Sequence, residues 1–261
     1  MHKDFAYESV AFEPTDAIAV VRLNRPDVHN AINESVMNAL ETVFDHVEAD
    51  PQIRALIITG TGSKSFCAGG DLEYFATLDS REKGIQMSRR MQALLDRLWS
   101  SSRPVVAAVN GQAIGGGCEI VSACHFRIAA STAKFVYRQA ENGLITGWGG
   151  GARLFHLLGH TQALKLLLSG DAIDATEAQR IGLVDQITEP QILLETAQAF
   201  AKKVSKHSPG VVAAILELAR LHYTCSIKEA IERETELFGD RWPSDEFKQA
   251  IKAFQDKRLI R

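Results

Sequence analysis

Residues 104–119 read PVVAAVNGQAIGGGCE, and the order of these letters decides the fold class. Pro104 opens a β-branched apolar run, 105–109, with the length and composition of a buried strand. Asn110-Gly111 marks a turn, and Gly115-Gly116-Gly117 leads into 118–123, a segment of one or two helical turns, before a further strand at 126–130. Upstream, 17–23 (AIAVVRL) is a strand bounded by Asp16 and by Asn24-Arg25-Pro26. Asn33 is the N-cap candidate of a helix whose Val36, Met37, Leu40, Val43, Phe44 and Val47 fall at helical spacing up to Asp50-Pro51. A strand at 55–59, a polar loop at 61–65 and a long amphipathic helix at 82–99 complete the first part. Beyond Gly151 the patterns are helical: 153–158, 161–168, 176–180, 191–205, 211–221 and 227–238. Interleaved strands and helices followed by helices alone predict an α/β core with a C-terminal helical extension. The boundary falls near His207-Ser208-Pro209-Gly210, dividing 1–207 from 208–261.

Over 261 residues, 29 Lys and Arg against 32 Asp and Glu leave a net charge of −3, which excludes a surface basic enough to coat nucleic acid or an anionic membrane. Apolar stretches fall far short of the roughly 20 residues of a membrane helix. Residues 1–14 mix Asp4, Glu8 and Glu13 with apolar side chains, unlike a secretory signal or a transit peptide, so a cytoplasmic location is expected. Cys67, Cys118, Cys124 and Cys225 form no C-x-x-C pair and read as reduced thiols. His29, His46, His125 and His160 lack metal-ligand spacing, so no metal is expected.

Three glycine-rich sites could carry chemistry: Cys67-Ala68-Gly69-Gly70-Asp71, residues 110–119, and Gly147-Trp148-Gly149-Gly150-Gly151-Ala152-Arg153. None matches a P-loop or a dinucleotide fingerprint, which argues against nucleotide chemistry. Backbone N–H groups at a helix start can hold an oxyanion, and Glu119, three residues beyond Gly116, leans back over the same turn. That pairing suits proton transfer next to a carbonyl, where a base works on carbon and donors hold the charge that develops on oxygen. Alternative readings stand beside it. Each glycine run can be a tight turn, Glu119 a structural carboxylate, and Asp71 the N-cap of a helix beginning at Leu72.

Taken in order, Asn24-Arg25-Pro26, Asn30-Ala31, residues 66–72 (FCAGGDL), 104–111, Gly115-Gly116-Gly117-Cys118-Glu119 and Gly182-Leu183-Val184 resemble the enoyl-CoA hydratase/isomerase family, the crotonase superfamily. The match runs from Ala17 to about Ile187, and the C-terminal helices are similar to that family's trimerisation region. The resemblance implies a crotonase-like spiral of β-β-α units, assembled as trimers or dimers of trimers, that binds an acyl-CoA thioester. No cofactor is implied beyond the coenzyme A of the substrate, and neither nucleic acid nor membrane is an implied partner. It further implies that the Gly70 and Gly116 N–H groups hold the thioester oxygen, and that Val28, Ala31, Ala68, Asp71 and Leu72 line the substrate site. Glu119 then matches the first of two catalytic glutamates, the group that handles the water added to the β-carbon. The acyl pocket has Leu72, Phe75, Met87, Met91 and Trp148 as candidates.

The chain departs from the family at the second glutamate, whose position falls on Gln139, an amide that cannot exchange a proton as an acid or base. Glu141 lies two residues on and would face the same way in an extended segment, or away in a helical turn. Thr146 and His125 replace a common Pro and Asp. Gly147-Trp148-Gly149-Gly150 is similar to the wording of malonyl-type acyl-CoA decarboxylases of the same superfamily. The expected activity is thus enoyl-CoA hydration or isomerisation through an enolate. Decarboxylation is the alternative, and a non-catalytic acyl-CoA-binding or RNA-binding homologue is a reading of another class. Helix 82–99, with Lys83, Arg89, Arg90 and Arg97 against Glu82 and Asp96, lacks the lysine-rich face that RNA binding wants.

Overall fold

The structure, a computed structural model, describes residues 5–15 and 17–259; Asp16, read as a strand boundary, lies outside them. Its strands are β1 Phe5–Tyr7, β2 Val10–Thr15, β3 Ile18–Leu23, β4 Ala55–Gly60, β5 Ser65–Cys67, β6 Val105–Val109, β7 Gln112–Ile114, β8 Phe126–Ala130, β9 Lys134–Val136, β10 Ile173–Asp174 and β11 Gln186–Thr188. Its helices are α1 Glu34–Ala49, α2 Leu72–Ala76, α3 Arg81–Trp99, α4 Gly116–Ala123, α5 Gly150–Ser169, α6 Ala175–Arg180, α7 Leu193–Val204, α8 Pro209–Thr224, α9 Ile227–Arg241 and α10 Asp245–Leu259.

Strands that follow one another in sequence go to different sheets. A seven-stranded sheet has the order β1-β2-β3-β4-β6-β8-β11, and a four-stranded sheet has the order β10-β9-β7-β5. The pairs β4/β5, β6/β7 and β8/β9 each give one strand to each sheet before the chain turns into helix, so three β-β-α turns stack as a spiral. Strands β3, β4, β6, β8 and β11 are parallel, as are β5, β7 and β9.

Strand alternation sorts the two faces of the large sheet. Leu56, Ile58, Val105, Ala107 and Val109 enter the main core with α1, α3 and α4, whereas Ile57, Val106 and Ala108 pack with Leu193, Ala197 and Ala201 of α7 on the opposite face. Burial on both faces is what continuous apolar runs such as VVAAV require. Helix α1 starts where its cap is expected, with the Asn33 side chain accepting from Val36 N at 3.0 Å.

The structure corrects several boundaries. The loop read at 61–65 ends in strand β5, and β7 and β9 are strands of three residues each. Helix α4 begins at Gly116, within the glycine run, two residues before its expected start. The helices read at 153–158 and 161–168 belong to α5, interrupted where Gly159 takes φ 74° and ψ 173°. Helix α10 follows α9, beyond the last helix expected.

Candidate active site

The site sits where β5 and β7 hand over to helix. Gly69 has φ 89°, and a methyl on its Cα would stand 2.9 Å from Gly116 N, so these corners touch backbone to backbone and only glycine fits. Gly70 forms a parallel bridge with Ile32, in which Ile32 N–H reaches Gly69 O at 2.8 Å and Asp71 N–H reaches Ile32 O at 2.9 Å. The Gly70 N–H lies between those bonds and takes no part in the bridge. Gly116 is the first residue of α4, where an N–H has no acceptor within its helix, and no side chain caps that helix.

Around these corners the expected substrate-site residues are held in place by local chemistry. His29 and Asn30 take left-handed conformations, and the Asn30 amide donates to Ser65 O at 2.9 Å, tying this turn to β5. Ala68 N–H donates to His29 O at 3.0 Å, and Ala31 is buried while Val28 is exposed. Asp71 caps α2, accepting from Glu73 N and Tyr74 N, and its other oxygen pairs with Arg25 Nη1 at 2.7 Å. The hydrogen bond from Arg25 holds the Asp71 carboxyl below its usual range. Leu72 is 75% exposed, a surface residue at the start of α2.

Glu119 is the one charged side chain in a helix whose every residue is buried. Its Oε1 accepts from Gly147 N at 3.2 Å and Gln139 Nε2 at 3.3 Å, and its Oε2 from Trp148 N at 2.7 Å and Gly150 N at 2.8 Å. A carboxylate offers about four lone-pair sites, and here four donors meet them. Burial nevertheless dominates and raises the Glu119 pKa, with these hydrogen bonds opposing it. Gly150 is glycine because a Cβ there would stand 2.3 Å from Glu119 Cγ.

Gln139 therefore does face Glu119, and the direction of its amide is forced, because its oxygen could not face a carboxylate. Its own Oε1 is buried without a partner. Glu141 does not join them. The segment after Gln139 is a 3₁₀ turn over Ala140–Asn142, and Glu141 stands exposed, paired with Arg138 at 3.1 Å. The helical-turn alternative is the one realised.

Two aromatic rings close on the two glycines. A Cβ on Gly70 would meet Phe75 Cζ at 2.0 Å, and one on Gly116 would meet Trp148 Cζ3 at 2.1 Å. Trp148 is buried, Phe75 and Met87 are partly buried against the core, and Met91 lies wholly inside it.

Sequence reading missed the residues that hold Glu119 from behind. Ser88 Oγ and Gln92 Nε2 of α3 donate to Gly147 O at 2.5 and 2.9 Å, and Arg153 Nη1 donates to Trp148 O at 3.1 Å. The signal was present: Ser88 and Gln92 are polar residues one helical turn apart, each adjacent to a Met of the apolar face. Burial raises the thiols of Cys67 and Cys124 to about 12 and that of Cys118 further, so these cysteines are inert. Among the described residues no His, Cys, Asp or Glu cluster could hold a metal, and no helix is long and apolar enough to cross a membrane. A cavity of about 530 Å³ among α3, α5 and α8, lined by Trp99, Arg153, His156 and Tyr223 among others, touches none of Gly70, Gly116, Glu119 or Gln139.

Residues 13–260 match the family model described as enoyl-CoA hydratase/isomerase. A short-chain-enoyl-CoA hydratase of Clostridium acetobutylicum is 37% identical over 97% of this chain and 96% of its own length. A crotonyl-CoA hydratase of Syntrophomonas wolfei is 36% identical over 97% of both. The crystal structure of an enoyl-CoA hydratase from Bacillus anthracis superposes with a TM-score of 0.90 at 28% identity, covering 95% of this chain and 96% of that one.

Proposed function

The chain belongs to the enoyl-CoA hydratase/isomerase family, and from that premise we propose that it hydrates enoyl-CoA thioesters through an enolate, with Glu119 as its single acid-base carboxylate. The observation that carries this reading is the buried Glu119, placed on the first turn of the helix whose Gly116 N–H is uncapped.

The thioester oxygen accepts from Gly70 N–H and Gly116 N–H. Three of the four donors on Glu119 are backbone, so the one that can yield to water is the Gln139 amide, which also makes the longest bond. A water entering there donates one hydrogen to Glu119 and the other to the unpartnered Gln139 Oε1. Glu119 takes the first proton as the water oxygen bonds to the β-carbon, and the π electrons move toward the thioester oxygen as the enolate. The same proton then returns from Glu119 to the α-carbon, so the addition balances without a second acid. The raised proton affinity of Glu119 suits a group that must both take and give back a proton. No cofactor enters these steps. Val28, Ala31, Ala68, Asp71 and Leu72 are assigned to the coenzyme A side. The exposed Ile227, Ile231, Phe238 and Trp242 of the C-terminal helices are the surface on which a trimer would form.

One observation favours a second reading, malonyl-type decarboxylation: the neutral Gln139 beside Glu119, since that chemistry needs the oxyanion donors and no second carboxylate. The purified protein is incubated with crotonyl-CoA and, separately, ethylmalonyl-CoA, with Glu119→Gln as control, and products are weighed. Addition of one water to crotonyl-CoA, reduced by about 10²–10⁴ in rate in the variant, is the expected result. Loss of carbon dioxide from ethylmalonyl-CoA without hydration moves the protein to the decarboxylase branch.

A further inference from the structure

We propose that Trp148 sets the acyl-chain limit of this site and restricts it to short acyl-CoA thioesters of the crotonyl class. The inference rests on the reading that Gly70, Gly116 and Glu119 hold the thioester. With the oxygen on the Gly70 and Gly116 N–H groups and Glu119 within reach of the β-carbon, the acyl group must pass between Gly116 and Glu119. Trp148 stands against both of these residues. Its benzo edge lies against Gly116, with three ring carbons within 2.7 Å of where a Cβ would be, and its backbone N–H is the shortest bond to Glu119.

Trp148 is also poorly able to move. Trp148 is 4% exposed and belongs to the main core, its backbone N–H is bonded to Glu119, and its carbonyl accepts from Arg153. Swinging the indole out would expose a large apolar surface and leave a void in a close-packed interior. Phe75 differs: it is only partly buried and stands on the five-residue α2, so its contact with Gly70 is a softer boundary. A crotonyl methyl group can end against the indole face, whereas each further methylene has to displace it. One methylene in an apolar pocket changes discrimination by about 10-fold or more.

The test compares kcat/KM for crotonyl-CoA and octenoyl-CoA in the wild type, Trp148→Phe and Trp148→Ala. The wild type is expected to favour crotonyl-CoA by about 100-fold. The octenoyl-to-crotonyl ratio should rise in Trp148→Phe and by about 10-fold or more in Trp148→Ala. Trp148→Phe covers the case in which the alanine variant does not fold. Equal wild-type use of both substrates overturns the proposal, and so does an unchanged ratio in a folded variant. Calorimetric binding of butyryl-CoA and octanoyl-CoA separates the two readings. If the wild type hydrates neither enoyl substrate yet binds butyryl-CoA the tighter, a preference lost in Trp148→Phe, then hydration is refuted and the chain limit stands. Equal binding of the two refutes the limit.

Discussion

Helices α4 and α5 both start from a glycine run, Gly115-Gly116-Gly117 and Gly149-Gly150-Gly151, and in sequence the two starts look alike. They do opposite things. The start of α5 is an anion site already filled, because Glu119 brings its carboxylate to the N–H groups of Gly147, Trp148 and Gly150. The start of α4, which carries that glutamate in its first turn, has no side-chain cap and leaves the Gly116 N–H open. A helix N-terminus attracts negative charge in either case. The difference is whether the charge comes from the protein or is left for a ligand oxygen. A glycine run therefore identifies a donor site, and only the position of the nearest carboxylate says whether it is free.

Adding one methyl to each start should break this symmetry most strongly. Gly150→Ala places a Cβ 2.3 Å from Glu119 Cγ and drives a buried carboxylate off its donors, which should cost about 3 kcal/mol of stability in urea unfolding. Gly116→Ala pushes on an indole edge without unpairing a charge, so its stability loss should be the smaller, about 1–2 kcal/mol. Its loss of rate should be the diagnostic effect, about 10²-fold, as the proposed oxyanion donor is displaced. Equal stability losses for the two variants would mean that Glu119 is not what fills the start of α5.

The two ends of α4 also titrate with opposite sign. Glu119 binds its proton more tightly folded than unfolded, so its contribution to stability is fully present below 4.5 and falls as pH rises through its raised value. His125, just past the C-terminus of α4, is pushed down to about 4 by burial, and its Nδ1 accepts from Val105 N at 3.1 Å. The unfolded chain binds that proton first, so stability is lost as pH falls from 6.5 toward 4, on the order of 3 kcal/mol. Activity should follow the other group. The acid limb of kcat/KM should lie above 4.5, and Gln139→Leu, which removes a donor that favours the ionised form, should move it further up. A limb that stays in place in Gln139→Leu would separate the amide from the carboxylate.

How much of this was legible in the sequence depends on range. Local features were: the caps at Asn33 and Asp71, the buried strand VVAAV, and each of the motifs that together carry the family resemblance depend on neighbours within a few residues. Strands β5, β7 and β9 were not, because three residues such as Lys134–Val136 show no period and pair only with strands distant in sequence across the spiral. The start of α4 at Gly116 was missed because glycine is a poor helix former, and the corner is fixed by its contact with Gly69. Glu119 could be singled out by its spacing from Gly116. Its three backbone partners could not, since they lie 28–31 residues away with no side-chain signature.

The smallest effect should come from behind the filled start. A peptide's C=O and the next residue's N–H lie in one plane and point opposite ways. Ser88 and Gln92 hold the Gly147 carbonyl and so aim the Trp148 N–H at Glu119 Oε2. They touch neither the carboxylate nor the proposed substrate path, which makes them positioning residues. Ser88→Ala should cost about 1 kcal/mol of stability and displace the acid limb upward, as the donor with the shortest bond to Glu119 loses its aim. Ser88→Thr, which keeps the hydroxyl, should restore the limb. A purely structural role would lower stability in Ser88→Ala and leave the limb where it was, and Glu119 would then be held without help from the Ser88 hydroxyl.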